Sequence, residues 1–193
     1  MDKVPLRNFQ ILNEISSDRP ITQREMAKNL GIAVGLANTY LKRLVRKGYI
    51  MVKAMPSNRI TYNLTPQGIS EKARLTYEYM KYSFQHYKDI RVQFRDVFVE
   101  IENKKLNKII FYGAGEVAEI AYISLNGLNL DLLFLVDDNK CGIDFFDKQV
   151  YENTKLAETD FDRVVITAFA SREIIFAKLR EMDFPEEKIL LIN

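Results

Sequence analysis

Between Ile69 and Asn103 the chain has neither glycine nor proline, and Ala73, Tyr77, Met80, Phe84, Tyr87, Arg91, Phe94, Phe98 and Ile101 recur there at alternating intervals of four and three. That is the a and d rhythm of a helical seam, interrupted only by Arg91. Thr65-Pro66-Gln67-Gly68 supplies the start signal, with Thr65 as cap and Pro66 at the first helical position, where its missing N–H would have had no partner. A helix this long cannot be covered by one small domain. Its stripe predicts a second copy of the chain, hence a homodimer through the long helix. The alternative is a break near Asp89, with the later rings packed on the C-terminal part.

Upstream, Thr22 and Glu25 have the spacing of a capping box, in which each side chain satisfies an orphan backbone donor of the other residue. A short helix from about Gln23 follows, with Met26, Ala27 and Leu30 on one face and Gly31 at a turn that calls for positive φ. From Val34 a second helix resumes the pattern. Leu36 or Ala37, Tyr40, Leu41 and Leu44 are spaced for burial, leaving Gly35, Asn38, Thr39, Lys42, Arg43 and Arg46 on the other side. Cations for phosphates, short amides and hydroxyls for base edges, and a bare glycine for close approach form the chemistry of a DNA-reading helix. Two short β-like runs, Ile50 to Ala54 and Arg59 to Leu64, flank a turn-rich tip and read as a wing. The candidate DNA contacts are Thr22, Gln23, Gly35, Asn38, Thr39, Lys42, Arg43, Arg46, Asn58 and Arg59. Before this pair, Leu6, Phe9, Ile11, Leu12 and Ile15 predict a buttressing helix over about Pro5 to Ser16.

The runs TQREMAKNLGIAVGLANTYLKRLVRKGYI and YNLTPQGISEKARLTYEYM resemble winged-helix regulators of the MarR class, especially the branch associated with bacterial exopolysaccharide gene clusters. The resemblance covers roughly Leu6 to Ile90 and implies binding to double-stranded DNA. Ala33 departs from it, standing where that branch commonly has a Ser cap on the recognition helix.

Charge divides the chain in the same sense. Residues 1–108 carry 20 Lys plus Arg against 10 Asp plus Glu, and residues 109–193 carry 8 against 16. The first part is suited to a polyanion and the second is not. One cysteine, Cys141, excludes an intrachain disulfide, and with His86 as the sole histidine no metal site is expected. No apolar run approaches 20 residues and the N-terminus is amphipathic rather than signal-like, so a cytoplasmic protein without membrane insertion is expected.

After a polar hinge from Glu100 to Asn107, the run KIIFY and then GAGEVA read as strand, glycine turn and helix. Gly113 permits the turn, Gly115 lets a phosphate approach the backbone, and Ala118 is the third small position. A second strand, Leu132 to Val136, ends at Asp137, 22 residues beyond Gly115, about where an acidic residue bonds a ribose hydroxyl. With RVVITA and KILLI as further buried strands and a short additional strand beginning at Val150, the spacing predicts a small doubly wound parallel sheet of order 3-2-1-4-5. The candidate nucleotide contacts are Gly113, Ala114, Gly115, Glu116, Val117, Asp137, Asp138 and Thr167. FYGAGEVAEIAYISL, LFLVDDNKCGIDFFDKQVY and VVITA resemble the Rossmann-like module of polysaccharide-biosynthesis sugar epimerases, dehydratases and some sugar acyltransferases. In those families the module is associated with a nucleotide or nucleotide-sugar, and chemistry belongs to another domain.

The expected organisation is a winged helix-turn-helix over 1–66, a linking helix over 67–106 and an α/β Rossmann-like domain over 107–193. The expected function is a dimeric transcriptional regulator of polysaccharide genes, modulated by a nucleotide or nucleotide-sugar. No residue set supports catalysis: the C-terminal part has no Tyr-x-x-x-Lys pair and no histidine. Two alternatives stay open. One is a sugar-nucleotide enzyme or subunit using the winged part for protein contacts. The other is a sensor of NAD(H), since a winged helix joined to a Rossmann module is similar to the Rex redox repressors.

Overall fold

The structure, a computed structural model, describes residues 3–16, 21–54 and 60–192. It divides into two compact units, 1–85 and 86–193. The division falls inside one helix.

In the first unit, α1 (Lys3–Ile15) buries Ile11, Leu12 and Ile15. The α2 helix (Gln23–Asn29) starts at the expected capping box: Thr22 Oγ1 accepts the Glu25 amide, and Glu25 Oε2 accepts the Thr22 amide. Gly31 then takes φ +60°, the left-handed conformation the turn requires. In α3 (Val34–Arg46) the buried positions are Ala37, Leu41 and Leu44, so the choice between Leu36 and Ala37 falls to the smaller residue. Ala27 and Ala37 are both buried, which fits a close approach of α2 to α3. The wing follows as β1 (Ile50–Ala54) and β2 (Ile60–Leu64), antiparallel from Ile50 opposite Leu64 to Ala54 opposite Ile60. Ile50 and Tyr62 drop into one core with Ile11, Leu12, Met26, Leu41 and Leu44.

The long helix α4 (Pro66–Asn103) runs unbroken. Its first turn is pinned to the segment between α3 and β1. Thr65 donates its amide to Tyr49 O and its hydroxyl to Gly48 O, and its Oγ1 accepts the Gly68 amide. Gly68 lies so close to this segment that a Cβ would stand 1.9 Å from Tyr49 O. Only glycine fits there.

The expected continuous seam along α4 is corrected by the structure. In the second unit Phe94, Phe98 and Ile101 are fully buried within the same chain, where Phe94 stacks on Phe98 and Phe98 on Phe111. In the first unit Tyr77, Met80 and Phe84 are 71%, 50% and 62% exposed. Of the alternative, a break near Asp89 with the later rings on the C-terminal part, the break is absent but the packing is as stated. A sheet of the same chain satisfies the later rings as well as a partner helix would, so only the earlier ones remain open to one.

The second unit is a six-stranded sheet formed by β3 (Lys108–Tyr112), β4 (Asp131–Val136), β5 (Asp144–Phe145), β6 (Lys148–Tyr151), β7 (Arg163–Ile166) and β8 (Ile189–Leu191). Its order is β5-β6-β4-β3-β7-β8, with β5 antiparallel and every other pairing parallel. Numbered along the chain, the five parallel strands have the expected order 3-2-1-4-5. Alternate residues of β3 enter opposite layers. Ile109 and Phe111 meet the end of α4 and α5 (Glu116–Ser124), while Ile110 and Tyr112 join Ile175 and Leu179 of α6 (Arg172–Glu181). The near-continuous apolar strands follow from this double coverage.

Candidate nucleic-acid interface

The burial of Ala37, Leu41 and Leu44 fixes what α3 presents outward. Gly35, Thr39, Lys42, Arg43 and Arg46 are exposed, and Asn38 is half-buried beside them. Space around Gly35 is open, so a base or phosphate could approach the helix backbone there. None of Lys42, Arg43 and Arg46 is ion-paired among the described residues. Their charge therefore remains available to phosphate. Thr39 donates its hydroxyl to Gly35 O, which leaves it as an acceptor.

The other expected contacts have local duties. Thr22 holds the capping box, with its hydroxyl also donating to Glu25 Oε2. Gln23 Nε2 donates to the Tyr62 hydroxyl at 2.6 Å and so joins the start of α2 to the wing. Asn58 and Arg59 lie outside the described residues. Ala33 caps α3 with backbone alone, without any side-chain acceptor, which matches the missing Ser noted in the sequence.

Between α3 and the wing lies a groove of about 410 Å³, bounded by Gln23, Asn38, Lys42 and Arg46 on one side and by Val52 and Ile60 on the other. The sequence reading missed Val52, Ile60 and Tyr62. Strand alternation could have found Tyr62, which is the inward residue at the centre of β2.

In the second unit the expected nucleotide residues do gather at the carboxyl ends of β3, β4 and β7. Gly113 has φ +118° and a Cβ there would stand 2.7 Å from Ala168, so the turn requires glycine. The carboxylate of Asp137, expected at a ribose, accepts the Ala114 amide and the Asn139 amide, both at 3.0 Å. Lys140 Nζ donates to Ala114 O at 2.6 Å, closing the turn from its other side. Asp138 accepts Lys178 Nζ at 2.6 Å, the Tyr112 hydroxyl and the Asn153 amide. Thr167, 2% exposed, donates its hydroxyl to the Tyr112 and Gly113 carbonyls. Gly115 caps α5 without a side chain, and Glu116 and Val117 form its first turn. Burial pushes the Tyr112 phenol up and the neighbouring Asp138 charge adds to it, so the phenol stays a neutral donor.

Residues 7–51 match the model of a winged helix-turn-helix DNA-binding domain. The first unit is a winged helix-turn-helix. Residues 104–190 match a second model, described as C2185-like, N-terminal. The uncharacterized protein MJ0558 of Methanocaldococcus jannaschii is 32% identical over 97 residues, covering 47% of this chain and 36% of that protein. The chain thus spans about a third of the length of this curated relative. Among solved structures, MepR, a transcription regulator of the Staphylococcus aureus multidrug efflux pump MepA, aligns at 20% identity with a TM-score of 0.38, over 42% of this chain and 62% of that one. Apo MarR from E. coli aligns at 27% identity with a TM-score of 0.34, over 36% and 53%. Among the described residues, no helix is long and apolar enough to cross a membrane.

Proposed function

We propose that this chain is a DNA-binding transcriptional regulator of MarR type that reads double-stranded DNA with α3 and steadies itself with the wing. The observation that carries this reading is the outward row of Gly35, Thr39, Lys42, Arg43 and Arg46, whose three cations have no ion pair among the described residues. The match of residues 7–51 to a winged helix-turn-helix DNA-binding model supports it. A homodimer is part of the reading, because exposed Tyr77, Met80 and Phe84 sit on one side of α4 and call for a cover. Two reading helices related by a twofold axis would then meet half-sites about one turn of DNA apart, roughly 34 Å.

The second unit is proposed as a sensor whose effector is a nucleotide or nucleotide-sugar, with NAD(H) as second choice and polysaccharide-assembly genes as the regulated set. What supports an effector is the Gly113–Gly115 turn at the start of α5, the usual place for a phosphate. Since Asp137 already holds the Ala114 amide, an entering phosphate would have to share or displace that bond.

A fluorescence-anisotropy titration with duplex DNA from the upstream region, at two salt concentrations and with UDP-sugars or NAD(H) added, tests both levels. Salt-dependent binding supports the regulator, and a shift with one ligand class supports the sensor. No binding to any duplex would sink the reading.

A further inference from the structure

The second unit carries 14 Lys plus Arg against 20 Asp plus Glu. Three of its cations are nevertheless gathered in one place. Lys88, Arg91 and Arg95 recur at intervals of three and four, and so share one face of α4 over about 10 Å. They wall a cavity of about 510 Å³ that is completed by Val92 and by Ile123, Ser124 and Asn126 at the end of α5. No carboxylate lines it.

The three cations differ in their duties. Arg95 Nη1 donates to Ser124 O at 3.1 Å and to Asn126 O at 2.6 Å, so its charge answers the negative end of α5. Lys88 and Arg91 have no side-chain partner among the described residues. With the α5 terminus already answered, their two charges are left facing the cavity in a unit that is otherwise net acidic. Like charges this close on a helix repel one another, and an anion seated between them relieves that cost. Val92 and Ile123, 57% and 42% exposed, add apolar wall beside the charge.

We infer that this cavity binds a small organic phosphate, with its oxyanions on Lys88 and Arg91 and its organic part against Val92 and Ile123. The site is distinct from the glycine turn, because the turn opens α5 and the cavity lies at that helix's other end. It does not rest on the DNA reading.

The test is isothermal titration calorimetry of the full chain with sodium pyrophosphate and with UDP, comparing the native protein with the double variant Lys88→Ala, Arg91→Ala. Both side chains are exposed, so the fold is not at risk, and Arg95 is kept because it secures α5. Saturable binding of either probe, weakened about ten-fold or more in the double variant, is expected from the loss of two charge-assisted contacts. No binding by the native chain overturns the proposal. Equal binding by the double variant also overturns it, by placing the ligand elsewhere, as at the glycine turn. Duplex DNA titrated in parallel separates the remaining case: duplex affinity lost with probe binding retained would make these cations DNA contacts instead.

Discussion

Gln23 donates its side-chain amide to the hydroxyl of Tyr62, so the start of the helix before the recognition helix and the middle of the wing are held by one hydrogen bond of 2.6 Å. Tyr62→Phe removes the acceptor and leaves a half-buried amide without it, at a cost of about 1 kcal/mol. Urea unfolding of Tyr62→Phe, Gln23→Leu and the double variant measures the coupling. Strict additivity would mean that the bond contributes nothing.

On the reading proposed for α3, base contacts and phosphate contacts have different signatures. Asn38→Ala should cost about 1–3 kcal/mol on the preferred operator and little on unrelated duplex. Lys42→Ala should weaken both alike and lower the salt slope by about 1. Anisotropy titrations across salt distinguish the two patterns.

The cap of α3 leaves room for improvement. Ala33 is already extended, at φ −64° and ψ 141°, and only a side-chain acceptor is missing. Ala33→Ser is expected to stabilise the protein by about 0.5–2 kcal/mol, the range a cap hydroxyl contributes. A thermal melt no higher than that of the native chain would show that water already serves the exposed amides.

The open stretch of α4 bears on assembly. Phe84→Glu, or Tyr77→Glu with Met80→Glu, should turn a sedimenting dimer into monomer and weaken operator binding, while leaving the circular dichroism unchanged. A native chain that sediments as a monomer, or variants that sediment as the native dimer does, would overturn the proposed contact through this stretch.

Acid should act on the second unit through Asp138. Burial works to raise the pKa of this carboxyl, but bonds from Lys178, the Asn153 amide and Tyr112 outweigh it and hold the value below the ordinary 3.8. A carboxyl lowered on folding stabilises the fold above its unfolded pKa, and that contribution disappears as pH falls through the folded value. Denaturant midpoints should therefore drop below about pH 4, and Asp138→Asn should flatten that acid limb. Parallel loss in both proteins would assign the acid sensitivity to other carboxylates.

The sequence made some of this legible and hid the rest for identifiable reasons. Thr22 with Glu25, Gly31, Thr65 with Pro66 and the glycine turn each act within a few residues, so their spacing alone located the elements. The strand order followed from apolar runs alternating with helices. The fate of the α4 stripe did not follow, because Phe94 and Phe98 have the same spacing whether a second chain or their own sheet covers them. The Asp137 spacing located the end of β4 correctly. It carried no information on the bond that this carboxylate makes to the Ala114 amide, which joins the end of β4 to the glycine turn. Likewise nothing short-range ties Gln23 to Tyr62, 39 residues away.

Gly68, pressed against the carbonyl of Tyr49, has an evolutionary consequence. The direction in which α4 leaves the reading head is set by Gly48, Tyr49, Thr65 and Gly68, all of which belong to that head. Exchange of the sequence downstream of this turn would leave that anchoring untouched, because none of the four residues lies there. Substitution at Gly68 itself would disturb the anchoring whatever sequence follows it, so this position must stay glycine while its downstream neighbours are free to diverge.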